Sequence, residues 1–164
     1  MATHLVMGDP HCTPKASNDR FLWAGKLARD LKPNVVVCMG DFASMDSLSS
    51  YDKGKKQFEG RRYKKDIDHS HDALEKFNKG LDGRRPRKIM LLGNHEDRID
   101  RTVDDIPELE GTISTDDFKF ENMVGKFIHT NSLSMLMVYI IATTILLVSW
   151  VSLLAVTMLL VPFF

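Results

Sequence analysis

An α/β fold is predicted by three features of the 164-residue sequence. Three short apolar runs, Thr3 to Met7, Val35 to Met39 and Ile89 to Leu92, have the length and bounds of buried strands. Each stops at a glycine and hands on to polar side chains: Gly8-Asp9-Pro10-His11, Gly40-Asp41 and Gly93-Asn94-His95-Glu96. The stretches between them carry apolar residues at helical spacing. Strands alternating with helices specify a parallel sheet, and such sheets bind ligands just past the carboxyl ends of their strands.

The elements follow in order. After the first strand, Ser17 or Asn18 can cap a helix running to about Leu31, with Phe21, Leu22, Ala24, Leu27, Ala28 and Leu31 forming its apolar stripe. Lys32-Pro33-Asn34 ends that helix. Val35 to Met39 is continuously apolar, as expected of a parallel strand buried on both faces. Phe42 to Asp52 is a Ser- and Asp-rich loop. Asp66 to Lys79 reads as a second helix through Ile67, Ala73, Leu74 and Phe77, stopped at Gly80. His69 and His71 are two apart, so on a helix they point to different faces and read as surface residues. Asp82-Gly83-Arg84-Arg85-Pro86 turns into the third strand, and Arg98 to Val103 forms a short helix before Pro107 and Gly111 break the pattern.

Charge is balanced, with 22 Lys plus Arg against 22 Asp plus Glu, so no obligatory polyanionic partner is implied. Its distribution is uneven, because no charged residue follows Lys126. The length suits one domain, divided into a charged portion over 1–121 and an apolar tail over 122–164. Cys12 and Cys38 are too sparse for a disulfide framework and read as two small buried thiols in a reducing compartment. The amino terminus lacks the basic region and apolar core of a signal peptide, which points to the cytoplasm. Lys53 to Lys65 mixes seven basic residues with Phe58 and Tyr63. That mixture fits either a solvated surface or a nucleic-acid contact.

The three strand ends carry the chemistry. Asp9 and His11, two apart on one turn, can grip a cation together. Asp41, from the neighbouring strand, can bridge it to a second cation, to which Asn94 offers a neutral oxygen. Such mixed oxygen and nitrogen donors suit divalent Mn, Fe, Zn or similar ions. Two such ions roughly 3.5–4 Å apart can clamp a phosphoryl group. His95 can then protonate the leaving oxygen or hold its developing charge.

Each motif is common alone; in this order, at three strand ends, they are specific. Over residues 3 to about 100 the chain resembles the calcineurin-like metallophosphoesterases, whose signature runs Asp-x-His, Gly-Asp, Gly-Asn-His-Asp/Glu. The resemblance implies a β-sandwich flanked by helices and a two-metal site hydrolysing a phosphomonoester or phosphodiester. It implies Asp9 and His11 on one metal, Asp41 bridging, Asn94 on the other, and His95 assisting the leaving group. The family also supplies later histidines, a single one and then Gly-His-x-His. Here only His129 follows His95, so the metallophosphoesterase fold is expected to be incomplete.

The tail allows two readings. Leu133 to Phe164 is uncharged and long enough to span a bilayer as a helix, which would anchor the domain to a membrane from its cytoplasmic side. Alternatively it is the product of a shifted reading frame beginning near Phe120 to Asn122. The last base of the Ala142 codon, read with the first two of Thr143, permits a histidine flanked by Ser and Tyr, where the family needs its next ligand. Two further functional readings stay open: a non-catalytic, membrane-tethered relic of the enzyme, and a nucleic-acid-binding module.

Overall fold

The computed structural model describes residues 3–120 together with the strands Ile145–Ser149 and Thr157–Val161. Within them the chain runs β1 (His4–Met7), α1 (Asp19–Leu31), β2 (Val35–Cys38), α2 (Tyr63–Leu81), β3 (Arg87–Met90), α3 (Arg98–Asp105), β4 (Ile145–Ser149) and β5 (Thr157–Val161). The strands form one sheet in the order β3-β2-β1-β4-β5. β1, β2, β3 and β4 are mutually parallel where they pair, while β5 runs antiparallel to β4. The α/β expectation therefore holds for the described residues, which contain this one sheet and no second layer of a sandwich.

Alternation along the strands sorts side chains onto two faces. Leu5, Met7, Val36, Cys38 and Met90 meet Phe21, Ala24 and Ala28 of α1 and Ile67, Ala73, Leu74 and Phe77 of α2 in the main core. Val6, Val35, Val37, Ile89 and Leu91 form a smaller buried cluster on the other face. Both crossover helices thus cover the same side. They approach closely at Gly25 and Gly80: a Cβ on either would strike backbone of the other helix. The two thiols are free and buried, and burial pushes both above the ordinary cysteine range, Cys12 to about 12. They are inert packing groups, as expected.

Several local expectations need correction. Asn18 does stand at the N-cap of α1 but makes no capping bond. Its side-chain amide instead donates to the His69 carbonyl and the Asp72 carboxylate, both 2.9 Å away, tying α1 to α2. α2 begins three residues earlier, at Tyr63, whose hydroxyl meets Asp117 (2.6 Å) and the Ser114 carbonyl (3.1 Å), contacts no local pattern reveals. His69 and His71 are half-buried rather than on the surface; their Nε2 atoms contact the carbonyls of Ala16 and Asp117.

The helix-like tail is corrected at the two segments described. Residues 145–149 and 157–161 are strands, and β4 pairs with β1. A continuous apolar run suits a strand buried on both faces as well as it suits part of a membrane span, so hydropathy alone does not separate them. Among the described residues no helix is long and apolar enough to cross a membrane. His129 and most of the stretch assigned to a membrane span or a shifted frame lie outside the described residues.

Candidate metal centre

Backbone pairing continues beyond β1 and β2 and zips their end loops together. His11 N donates to Asp41 O (2.9 Å), Cys12 N to Phe42 O (2.7 Å), and Ser44 N to Cys12 O (2.9 Å). This forces sharp turns. Asp9, His11, Asp41 and Met45 all adopt left-handed backbone, with φ of 38°, 45°, 47° and 45°. Non-glycine residues rarely do so, and such strain gathers where a site over-determines the chain.

The third strand end is pressed against the second. At Gly40, φ is 104° and a Cβ would sit 3.0 Å from Gly93 Cα; a Cβ on Gly93 would overlap the Asp41 carboxylate and backbone nitrogen. Both glycines are therefore required by the close approach of the two loops. Glu96 fastens them. Its fully buried carboxylate accepts from Asp41 N (3.1 Å) and Gly93 N (2.8 Å) through Oε2 and from Ala43 N (2.8 Å) through Oε1. Burial pushes the carboxyl up to about 7, against the opposing pull of the Ala43 and Gly93 amides.

This scaffold brings three of the expected side chains together. Donor atoms of His11, Asp41 and His95 all lie within 4.8 Å of one another. His11 Nε2 is 4.0 Å from Asp41 Oδ2, and the two imidazole rings meet edge-on at 4.5 Å. Asp41 Oδ1 also accepts from His95 N at 2.9 Å. With 40 % of the His11 side chain exposed against 15 % for Asp41, the cluster opens to solvent on the His11 side.

His95 is held on both ring nitrogens. Nδ1 is 2.8 Å from the Ser44 carbonyl, and Nε2 is 3.3 Å from the Arg98 guanidinium. A neutral ring carrying its proton on Nδ1 satisfies both contacts. Burial lowers its pKa from the ordinary histidine value, and the nearby Arg98 charge adds to that, while the Ser44 carbonyl pulls the other way. Asp9 follows β1 and Asn94 follows β3. Both are exposed, Asp9 is not among the three clustered donors, and the Asn94 carbonyl accepts from Arg101 at 2.6 Å.

The sequence did not reveal Ser44 or Arg98 as partners of His95, nor the stapling role of Glu96. Arg98 had a weak signal, since residues three apart share a face once the chain turns helical. Ser44 contributes only its carbonyl and had none.

One carboxylate and two imidazoles at this separation form a donor set that fits a divalent transition ion. The fold and the cluster together define a candidate metal centre at the strand ends of an α/β sheet. The family model for calcineurin-like phosphoesterases matches residues 3–150, and the chain belongs to that family. Comparisons with curated proteins and with solved structures gave no match.

Proposed function

We propose that this chain hydrolyses phosphate esters, mono- or diesters, at the three strand ends. The observation that carries the reading is the convergence of His11, Asp41 and His95 within 4.8 Å on loops locked by Glu96. Asp9 and His11 would hold one ion, Asp41 would bridge, and Asn94 would reach the second. Divalent ions of the manganese, iron or zinc kind would supply Lewis-acid polarisation and an acidified water there. The chain's own residues do the rest. Asp41 accepts from the His95 amide and so ties the two loops together, and His95, once it takes up a proton on Nε2, would pass it to the departing oxygen. Exposure on the His11 side gives an ester a path in.

With fewer imidazoles than the family signature contains, the centre should bind metal weakly and need it in excess. Hydrolysis of bis(4-nitrophenyl) phosphate by the full chain tests the proposal. Turnover should appear with added manganese, vanish with chelator, and fall at least about 100-fold in Asp41→Asn, as expected when a charge-stabilising group is removed. Asp41→Asn turnover equal to that of the parent chain would overturn it.

A further inference from the structure

Beside the candidate centre lies a cleft of about 150 Å³, lined among others by Tyr51, Lys53, Asn94, Arg98, Arg101 and Asp105. Two of its walls belong to the centre: Asn94 is an expected ligand, and the Arg98 guanidinium is 3.3 Å from His95 Nε2. Its lining sets Lys53, Arg98 and Arg101 against Asp105, with Asp97 just outside it paired to Arg101. Arg101 is tethered by Asp97 (2.9 Å) and the Asn94 carbonyl (2.6 Å), and Lys53 is exposed. Tyr51, 80 % exposed, is the most exposed large apolar side chain among the described residues. A bare aromatic ring next to phosphate-seeking cations is how unpaired nucleotides are bound, the base stacking on the ring and the backbone following the charges.

The other basic hollow provides the contrast. It is lined by Lys15, Arg61, Arg62 and Lys65 but also by Asp46, Glu59 and Asp66. Arg61 is occupied there by the Asp46 carbonyl (2.9 Å) and Asp52 (2.8 Å). That hollow sets four cations against three carboxylates, nearly in balance, and offers no exposed ring.

We infer that the Tyr51–Arg101 cleft holds the nucleotide adjoining the scissile phosphate of a single-stranded nucleic acid. The inference rests on the phosphoesterase reading for its direction: an ester whose phosphorus sits at His11, Asp41 and His95 runs past Asn94 and Arg98 into the cleft. Lys53 and Arg101 then meet the next phosphate, and Tyr51 takes the base.

Fluorescence anisotropy of a labelled oligothymidylate with the full chain in chelator tests this without turnover. The parent chain should bind, and a duplex of equal length should bind more weakly. Tyr51→Ala should weaken binding about 5- to 150-fold, the range for losing one stacked base. Lys53→Gln should weaken it and reduce the salt slope by about 0.7, as for one lost phosphate contact. Lys26→Gln, on α1, should change neither. Absence of binding by the parent chain overturns the inference, as do unchanged affinities in both cleft variants or a duplex bound as tightly. Displacement by inorganic phosphate with a silent Tyr51→Ala would show an anion site only and would also overturn it. The two readings fail separately. Oligonucleotide binding without aryl diester hydrolysis removes the enzyme and keeps the cleft; hydrolysis without such binding does the reverse.

Discussion

Replacing Glu96 with alanine removes the acceptor from three backbone amides at once: those of Asp41, Ala43 and Gly93. A buried donor left unpaired costs about 1–3 kcal/mol. Ala43 is buried and must bear its full share, while Asp41 and Gly93 are half-buried and can recover some water. Burial disfavours the ionised carboxyl itself, which offsets part of the loss. The net cost should be about 3 kcal/mol, a large fraction of the stability of a domain this size. With a urea slope of about 2 kcal/mol/M, the unfolding midpoint followed by circular dichroism should fall by about 1.5 M. Glu96→Gln can keep an oxygen for Asp41 and Gly93 but turns its amide toward the Ala43 N–H, so it should lose about half as much. A midpoint unchanged within about 0.3 M in the alanine variant, or glutamine proving worse than alanine, refutes the stapling role.

Gly93→Ala should abolish metal binding while leaving the helical circular dichroism signal in place, because the new Cβ would occupy the position of the Asp41 carboxylate. Gly25→Ala places a methyl against the Phe77 carbonyl; overpacking of this kind costs about 1–3 kcal/mol, visible as a Tm drop of several degrees. Asp66, buried at 5 % exposure, has its carboxyl pKa raised above the ordinary value mainly by desolvation, with Asp46 adding and Ser47 and Arg61 opposing. The folded state therefore binds this proton more tightly than the unfolded chain. The resulting stability is complete below the ordinary carboxyl pKa and is lost as pH rises through the folded one. Asp66→Asn should flatten that decline in denaturation midpoints measured from pH 4 to 7; an unchanged slope counts against it.

What the sequence made legible was the part governed by local pattern. Val35–Cys38 and its neighbours were visible because parallel strands buried on both faces are short apolar runs. The glycine-bounded polar turns after them were visible because ligand groups gather at strand ends. His11, Asp41 and His95 follow from that logic, and the structure clusters them. The Glu96 staple was hidden because its partners at residues 41, 43 and 93 come from two loops, and backbone amides carry no sequence signature. His69 and His71 looked like surface residues because their partners, the carbonyls of Ala16 and Asp117, are distant in sequence. β4 and β5 were read as helix because an uncharged Leu-, Ile- and Val-rich run lacks the flanking turns that mark a strand. Asp9 and Asn94 were expected beside the other three, and both sit on the strand-end loops with exposed side chains. Sequence spacing places residues on a loop but does not aim their side chains.

Manganese binding to the full chain, followed by the electron paramagnetic resonance signal of the free ion, tests the metal-centre claim most directly. The parent chain should remove free manganese from solution, and Asp41→Asn and His11→Ala should each weaken that uptake at least about tenfold, close to 1.4 kcal/mol. No uptake by the parent chain, or uptake unchanged in Asp41→Asn, would contradict the assignment of these strand ends as a metal centre.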